Sequence, residues 1–533
     1  METLKLIKFN HFALFAAFYS TGLWMEMSEN WDNPLATAIA LCLLVVIIIT
    51  DINKLKFCLF LGFTTAYFLW FHFPEVANHV NLILIINFTL LTGAIYTWLS
   101  PRYSTDNDYY DAISPIMRIV VILVYFWAGF HKLNHDFLNT EYSCASSTFT
   151  GIVGMLLSST LGIPSIIILG IVSLFFIYKT IYLQHQHLLQ QLFNNSLLKI
   201  LLISCLILTL AAGLSIYFLD LIEVTKNLIF LSTAIIVIAW ELAGSILLFI
   251  PACQAAVFLI SMFMHLVLAI VGFVDFGALI FALWLVFIPQ NYHHNFNTPV
   301  KLPVSNIQLN RSLVYIIISI VGGIIAGIYH LVYPYFNNKA LTGIIFIASV
   351  LIVLAPSVKA ILSNPKSWQG ISIFESKTPR FLYIFVFVLS LWAMTPYLGL
   401  RTAGNFSMFS NLRTERDVSN HLLLGNNPGK IWNYQEDVVK FIDINDEQAK
   451  VGHKYRPLKN NYLPVVEFRK LIHKWTKAGY QVPLVFEYNG RVYNTPDIVK
   501  DPIWQTPQRD WEMIMMDFRV IQADNGEPNY CRW

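Results

Sequence analysis

Residues 126–137 read FWAGFHKLNHDF and follow directly on the apolar run IVVILVY of residues 119–125. Two histidines, a lysine and an aspartate thus stand where a hydrophobic helix meets water. Side chains of these types move protons or hold metals. Burial disfavours the ammonium form of lysine, and a neutral amine serves as a general base, which makes Lys132 the sharpest candidate for chemistry. The competing reading has Lys132 snorkel, its charge carried to the bilayer surface on a flexible stem. His131 and His135 are four apart, a spacing that puts two residues on one helical face and suits a metal.

An ionisable group in the middle of a membrane helix costs about 2.5–3.5 kcal/mol on insertion scales, so each one needs a reason. Beyond residues 131 and 132, the apolar stretches hold Arg118, Glu241, His265, Asp275 and His330. Arg118 is expected to snorkel near the start of its helix, Asp275 to lie solvated in a turn, and His330 to pack at an interface. Glu241 in STAIIVIAWELAGSILLFI (232–250) and His265 in LISMFMHLVLAIV (259–271) are isolated among apolar neighbours. For these two, a structural pair that locks helices and a role in a site are equally open.

The elements that must position these groups follow from composition. Of 533 residues, 56% are hydrophobic and 13% charged, against about a quarter charged in a soluble protein. Residues 401–533 hold 34 of the 67 charges, which divides the chain into a membrane part, 1–400, and an extramembrane part, 401–533. Apolar runs long enough for a hydrocarbon core about 30 Å thick predict spans near 7–25, 34–50, 57–74, 80–99, 114–131, 150–178, 199–219, 228–250, 253–273, 276–289, 312–333, 342–363 and 381–399. The sixth carries Pro164 and the tenth is short, so the expectation is an all-α polytopic bundle of about 11–13 spans with a small α+β domain. Helices are required, because lipid cannot satisfy free backbone groups and no barrel-type alternation appears. Lys5 and Lys8 precede the first apolar stretch without a convincing cleavage site, so it reads as a retained span.

Lysine and arginine in the loops set the orientation. Lys54 and Lys56 fall in one loop, Lys301 and Arg311 in another, and Lys359, Lys366, Lys377 and Arg380 in a third. Alternation then puts the N-terminus in the cytoplasm, with residues 401–533 and the 131–136 helix end outside, as in a bacterial inner membrane. The acidic loop RYSTDNDYYD (102–111) dissents. The histidine pairs HQH (185–187) and HH (293–294) fall on the side opposite to residues 131 and 135, so no shared metal centre forms and no metal is expected. A net charge of +3 argues against nucleic acid as a partner. In the tail, residues 464–479 show a helical repeat ending in Gly, 482–494 a hairpin around Asn489-Gly490, and 511–521 a strand. Cys144 and Cys531 share the outer side and are either free or joined in a disulfide. Cys42, Cys58, Cys205 and Cys253 read as small core residues.

Residues 125–144, YFWAGFHKLNHDFLNTEYSC, resemble the signature of the vitamin K-dependent gamma-carboxylase family and its bacterial relatives that share the HTTM transmembrane module. The core of that signature is an Ala-Gly-x-x-Lys-Leu element after aromatics, here Ala128-Gly129-Phe130-His131-Lys132-Leu133. His131 stands where a second lysine is frequent. WELAGSILLFIP (240–251), FMHLVLAIVGFVDF (263–276) and FSMFSNLRTE (406–415) are similar in the same order.

The resemblance implies a lysine, Lys132, that deprotonates a reduced naphthoquinone (vitamin K hydroquinone or menaquinol). Oxygen then adds, the resulting alkoxide removes a proton from a glutamate of the acceptor, carbon dioxide traps the carbanion, and the quinone leaves as its epoxide. On this reading His131 and His265 bond the quinone oxygens, Glu241 orients one of these groups or pairs with Lys132, and Trp127, Phe130 and Arg118 complete the cofactor-binding set. The partners implied are the lipid bilayer, the quinone, and a peptide or protein substrate on the outer side. The alternative is a non-catalytic membrane scaffold or transport-like bundle that presents residues 401–533 to a partner.

Overall fold

Where the chain is apolar it coils, as a backbone with no water to bond must. A computed structural model of the chain describes residues 9–28, 33–73, 77–158, 223–270, 272–301, 308–332, 339–364, 367–374, 377–416, 419–425, 429–452, 455–505, 509–522 and 531. Helices α1 (His11–Ser28), α2 (Pro34–Ile49), α3 (Lys54–Phe71), α4 (Asn78–Leu99) and α5 (Asp106–His131) fall on the first five expected spans. The sixth is seen only at its start, in α7 (Cys144–Ser158) after the short α6 (His135–Leu138). Most of it, the 199–219 span and the HQH at 185–187 lie outside the described residues. Helices α8 (Glu223–Leu247), α9 (Gln254–Ile270), α10 (Val274–Trp284), α11 (Arg311–Val332), α12 (Lys339–Ser363) and α13 (Tyr383–Met394) complete the bundle. Among the described residues, seven helices are long and apolar enough to cross a membrane, consistent with a multi-pass helical bundle.

Helix α1 is the axis: 16 of its 18 residues are buried, so it faces neighbours on every side rather than lipid. Its closest approach is to α10. A Cβ on Gly22 would meet the backbone of Leu279 at 3.1 Å, so glycine alone lets these two helices touch. Helix α5 begins with a reciprocal cap between Thr105 and Asp108, which satisfies two of the amides that open a helix.

The loops at the two ends sort by charge. The acidic 102–111 segment that dissented above lies against the basic loops: Asp111 pairs with Lys377 at 2.8 Å, and Asp106 accepts from the Lys54 amide at 3.2 Å. Its acidity therefore neutralises neighbouring lysines. Arg118 does not snorkel. It is buried, donating to the carbonyls of Val286 and Ser372 at 2.8 Å each and to Ser114 Oγ at 3.3 Å, because the turn after α10 and the 367–374 loop offer it acceptors inside the bundle. The described cysteines of the bundle also differ from expectation: Cys58 is buried, but Cys42 is exposed, on the outward face of α2. The side chain of His330 and Cys205 lie outside the described residues.

The tail folds around an antiparallel sheet of order β2-β1-β3-β4, formed by Tyr462–Pro464, Val438–Asp443, Leu484–Tyr488 and Arg491–Thr495. Helix α14 (Val465–Ala478) ends at Gly479, φ 69°, a left-handed cap that glycine adopts without penalty. Asn489 and Gly490, both at positive φ, turn β3 into β4, as a two-residue hairpin requires. Phe441, Phe468, Phe486 and Trp504 form its core. The 511–521 stretch is not one strand. Residues Asp510–Met515 form helix α15, its first turn held by Glu512 accepting from the Arg509 amide at 3.3 Å, and only the end is extended, Ile521 bridging Tyr462.

Bundle and tail meet in a buried seam rather than a linker. Arg401 is fully buried between the Trp392 ring, 4.4 Å away, and Asp517, 3.2 Å away. A disulfide joins Cys144 to Cys531 with a Cα separation of 4.7 Å. Intact protein treated with a maleimide should therefore leave both cysteines unlabelled until reduction, after which the mass rises by two further labels. Labelling of either before reduction would contradict the bond.

Candidate functional site

Helix α5 sorts its signature residues by face. With 3.6 residues per turn, Tyr125, Ala128 and Lys132 lie along one stripe, and all three line a cavity of about 340 Å³. Trp127, Phe130 and His131 lie off that stripe and do not line it. Arg118 is 14 residues before Lys132, about 21 Å along the helix, and does not line it either.

The helix stops at His131, Lys132 is its cap, and Asn134 caps the next short helix by accepting from the Phe137 amide at 2.8 Å. His131 and His135 therefore do not share a helical face, and the spacing that suited a metal is broken by this turn. His131 is fully buried, its Nδ1 2.7 Å from the Tyr397 hydroxyl and its Nε2 3.2 Å from the Asn405 carbonyl. His293 lies elsewhere, edge-on to His11.

Most of the polar residues at this helix end serve the seam. Asn134 donates to the Ser410 carbonyl at 2.6 Å, the His135 amide to Asn420 at 3.1 Å, and Asn420 to Asp136 at 2.7 Å. His421 accepts at Nδ1 from the Leu423 amide at 3.2 Å, so its Nε2 carries the hydrogen and donates to the Phe130 carbonyl at 3.0 Å. Burial holds His421 below the ordinary imidazole range, in keeping with that neutral form. Lys132 alone turns the other way.

The Lys132 side chain is 7% exposed, and its Nζ lies 3.0 Å and 2.8 Å from the two carboxylate oxygens of Glu241 on α8. A third contact, 3.3 Å, reaches the Ala128 carbonyl. Gly129 makes this pair accessible: a Cβ there would meet Glu241 Cβ and Leu242 Cγ, each at 2.9 Å. The small residue lets α5 and α8 touch, so the short lysine-to-carboxylate distance follows from the Ala-Gly step one turn before it.

On α9, His265 Nε2 bonds the Tyr125 hydroxyl. The Trp284 indole, which can only donate, approaches the same hydroxyl oxygen at 3.2 Å. Tyr125 accepts from Trp284, and where it gives its own hydrogen to His265 Nε2 the imidazole hydrogen sits on Nδ1. That nitrogen is buried and has no partner among the described residues, on a side chain that lines the cavity.

The rest of the wall is apolar, with Val237 and Phe276 among its residues, and Phe406, Met408 and Phe409 of the 406–415 segment complete it. Phe406 and Phe409 have φ of 66° and 55°, values uncommon for bulky side chains, of the kind that cluster at ligand clamps. The sequence reading missed Tyr125, Trp284 and His79, which also lines the cavity. Tyr125 was findable, since it stands seven residues, or two turns, before Lys132.

Of the expected site residues, the cavity thus gathers Lys132, Glu241 and His265, while His131, Trp127, Phe130 and Arg118 lie outside it. No family model, curated protein or solved structure matches the chain.

Breaking a buried ion pair from one side costs about 3–5 kcal/mol, whereas replacing both partners is often near neutral. Glu241→Leu should therefore lower thermal stability in detergent more than the double variant Lys132→Met/Glu241→Leu does. Equal losses would mean the pair is solvated. Gly129→Val should cost about 1–3 kcal/mol by overpacking the α5–α8 contact, read as a lowered melting temperature.

Proposed function

We propose that this chain is a membrane enzyme similar to the vitamin K-dependent gamma-carboxylases, with a reduced naphthoquinone in the cavity and Lys132 as its base. The observation that carries this reading is the lysine itself. Its amine is shut away from water at the wall of an apolar cavity, beside a carboxylate. Small-molecule sites measure about 300–1,000 Å³ and are mostly apolar with a few placed polar groups. The volume of about 340 Å³ and its lining fit a ring of that size.

When bound, the quinol supplies the oxygen-dependent epoxidation whose strong base drives carboxylation of an acceptor with carbon dioxide. The residues of this chain do the rest. Lys132 and Glu241 share one acid proton between amine and carboxylate, and together they take up a second from a ligand hydroxyl. His265 presents Nδ1–H to a ligand oxygen, its Nε2 being taken by the Tyr125 hydroxyl. The apolar walls exclude water that would quench a strong base.

In the full arrangement the chain crosses the bilayer about 11–13 times, with the N-terminus cytoplasmic and the tail outside a bacterial inner membrane. The acceptor is then a peptide or protein that meets the cavity from the tail side.

Protein purified in mild detergent should carry a naphthoquinone at close to one per chain, detected by mass spectrometry of extracted lipid. Lys132→Ala should lower the melting temperature, as loss of one partner of a buried pair does, and the folded fraction should lose quinol epoxidation at least about 100-fold, the low end of what a general base contributes. Epoxidation at the wild-type rate in that variant would sink the proposal. Absence of quinone, with capture of a protein partner by the tail, would favour a scaffold instead.

A further inference from the structure

A second group of side chains meets at the cavity wall and has no part in the chemistry above. Glu26 stands in the last turn of α1, His79 in the first turn of α4 and Asp275 in the first turn of α10. One ligand atom from each lies within 4.8 Å of the others. Asp275 was expected to be solvated, yet it is buried, 7% exposed. His79 Nε2 lies 2.8 Å from Glu26 Oε1. The Glu26 side chain is only 5% exposed, and its second oxygen, Oε2, is buried with no hydrogen-bond partner among the described residues.

The backbone brings these groups together by a specific device. Gly22 and Glu26 are four apart on α1, and Asp275 and Leu279 are four apart on α10, so each pair shares a helical face. Gly22 and Leu279 are the point where the two helices touch. One turn further on, the two carboxylates are therefore held toward each other, and the start of α4 adds the imidazole.

Two buried carboxylates and one imidazole leave net negative charge even when the imidazole is protonated. Buried charges are found paired or coordinating metals. A mixed set of one nitrogen and two carboxylates suits a first-row divalent cation, whereas calcium takes six to eight oxygens.

We propose that Glu26, His79 and Asp275 bind one first-row divalent transition-metal cation, of the zinc or manganese class, at the wall of the cavity. Three protein ligands leave a coordination position open. His79 lines the cavity, so the ion brings a fixed positive charge to its wall. The site does not depend on the quinone reading, since its ligands come from α1, α4 and α10 and none is Lys132, Glu241 or His265.

The test uses untagged full-length protein in detergent, stripped with a chelator and titrated with cobalt(II) alone, then with zinc as competitor. The expected result is one saturable equivalent with visible d–d absorption, displaced by zinc. E26Q and D275N should each weaken binding at least tenfold, while K132A should bind as the wild type does. H79C should keep the ion and add a thiolate-to-cobalt charge-transfer band, a signature that does not rely on loss of binding. No saturable binding by folded wild-type protein would overturn the proposal. So would unchanged affinity in E26Q and D275N, or a cobalt complex of H79C without the thiolate band.

Discussion

The Lys132–Glu241 pair joins α5 to α8 at a cavity lined mostly by apolar side chains, and several features of the structure follow from what such a pair demands. Removing an ammonium and a carboxylate from water costs several kcal/mol per ion even after relaxation, and only close, well-formed contact offsets it. Close contact needs helices whose backbones approach, hence glycine at 129. It also needs the neighbouring polar groups to be occupied elsewhere, so that they do not draw water in. His131 and Asn134 meet that condition by bonding the backbone carbonyls of Asn405 and Ser410 in the tail instead.

How much of this was legible in the residues depends on the period of the element that carries them. The helical spans could be read because apolar length is a direct physical requirement of lipid. The hairpin at Asn489-Gly490 and the helix ending at Gly479 could be read because those residues tolerate left-handed backbone that others resist. That Lys132 stands at a helix end was legible from the apolar run before it. Which of its neighbours share its cavity was not, because a motif written as a line hides the helical faces. His131 is adjacent to Lys132 in sequence and turned away from it in space, while Tyr125 is seven residues off and on the same stripe.

Two features needed the third dimension altogether. That Glu241 is the partner of Lys132 depends on the fit of Leu242 against Gly129, and no local pattern encodes a contact between residues 109 apart. Asp275 read as solvated because a carboxylate in a short turn usually is. It is buried because α1, packed through Gly22, covers it. The acidic 102–111 loop also has partners distant in sequence: Asp111 pairs with Lys377 and Asp106 accepts from the Lys54 amide.

The polar helix end is thus largely a seam, along which the tail's 405–421 loop grips the bundle, and the seam has a bearing on how the molecule is made. Cys144 lines the cavity, and its disulfide partner is 387 residues later. The covalent closure of that wall therefore waits on biosynthesis: every helix from α7 to α15 is synthesised before residue 531 exists to react. Until that moment the cavity has an unfastened edge, and a ligand present during assembly meets a more open chamber than one that arrives afterwards.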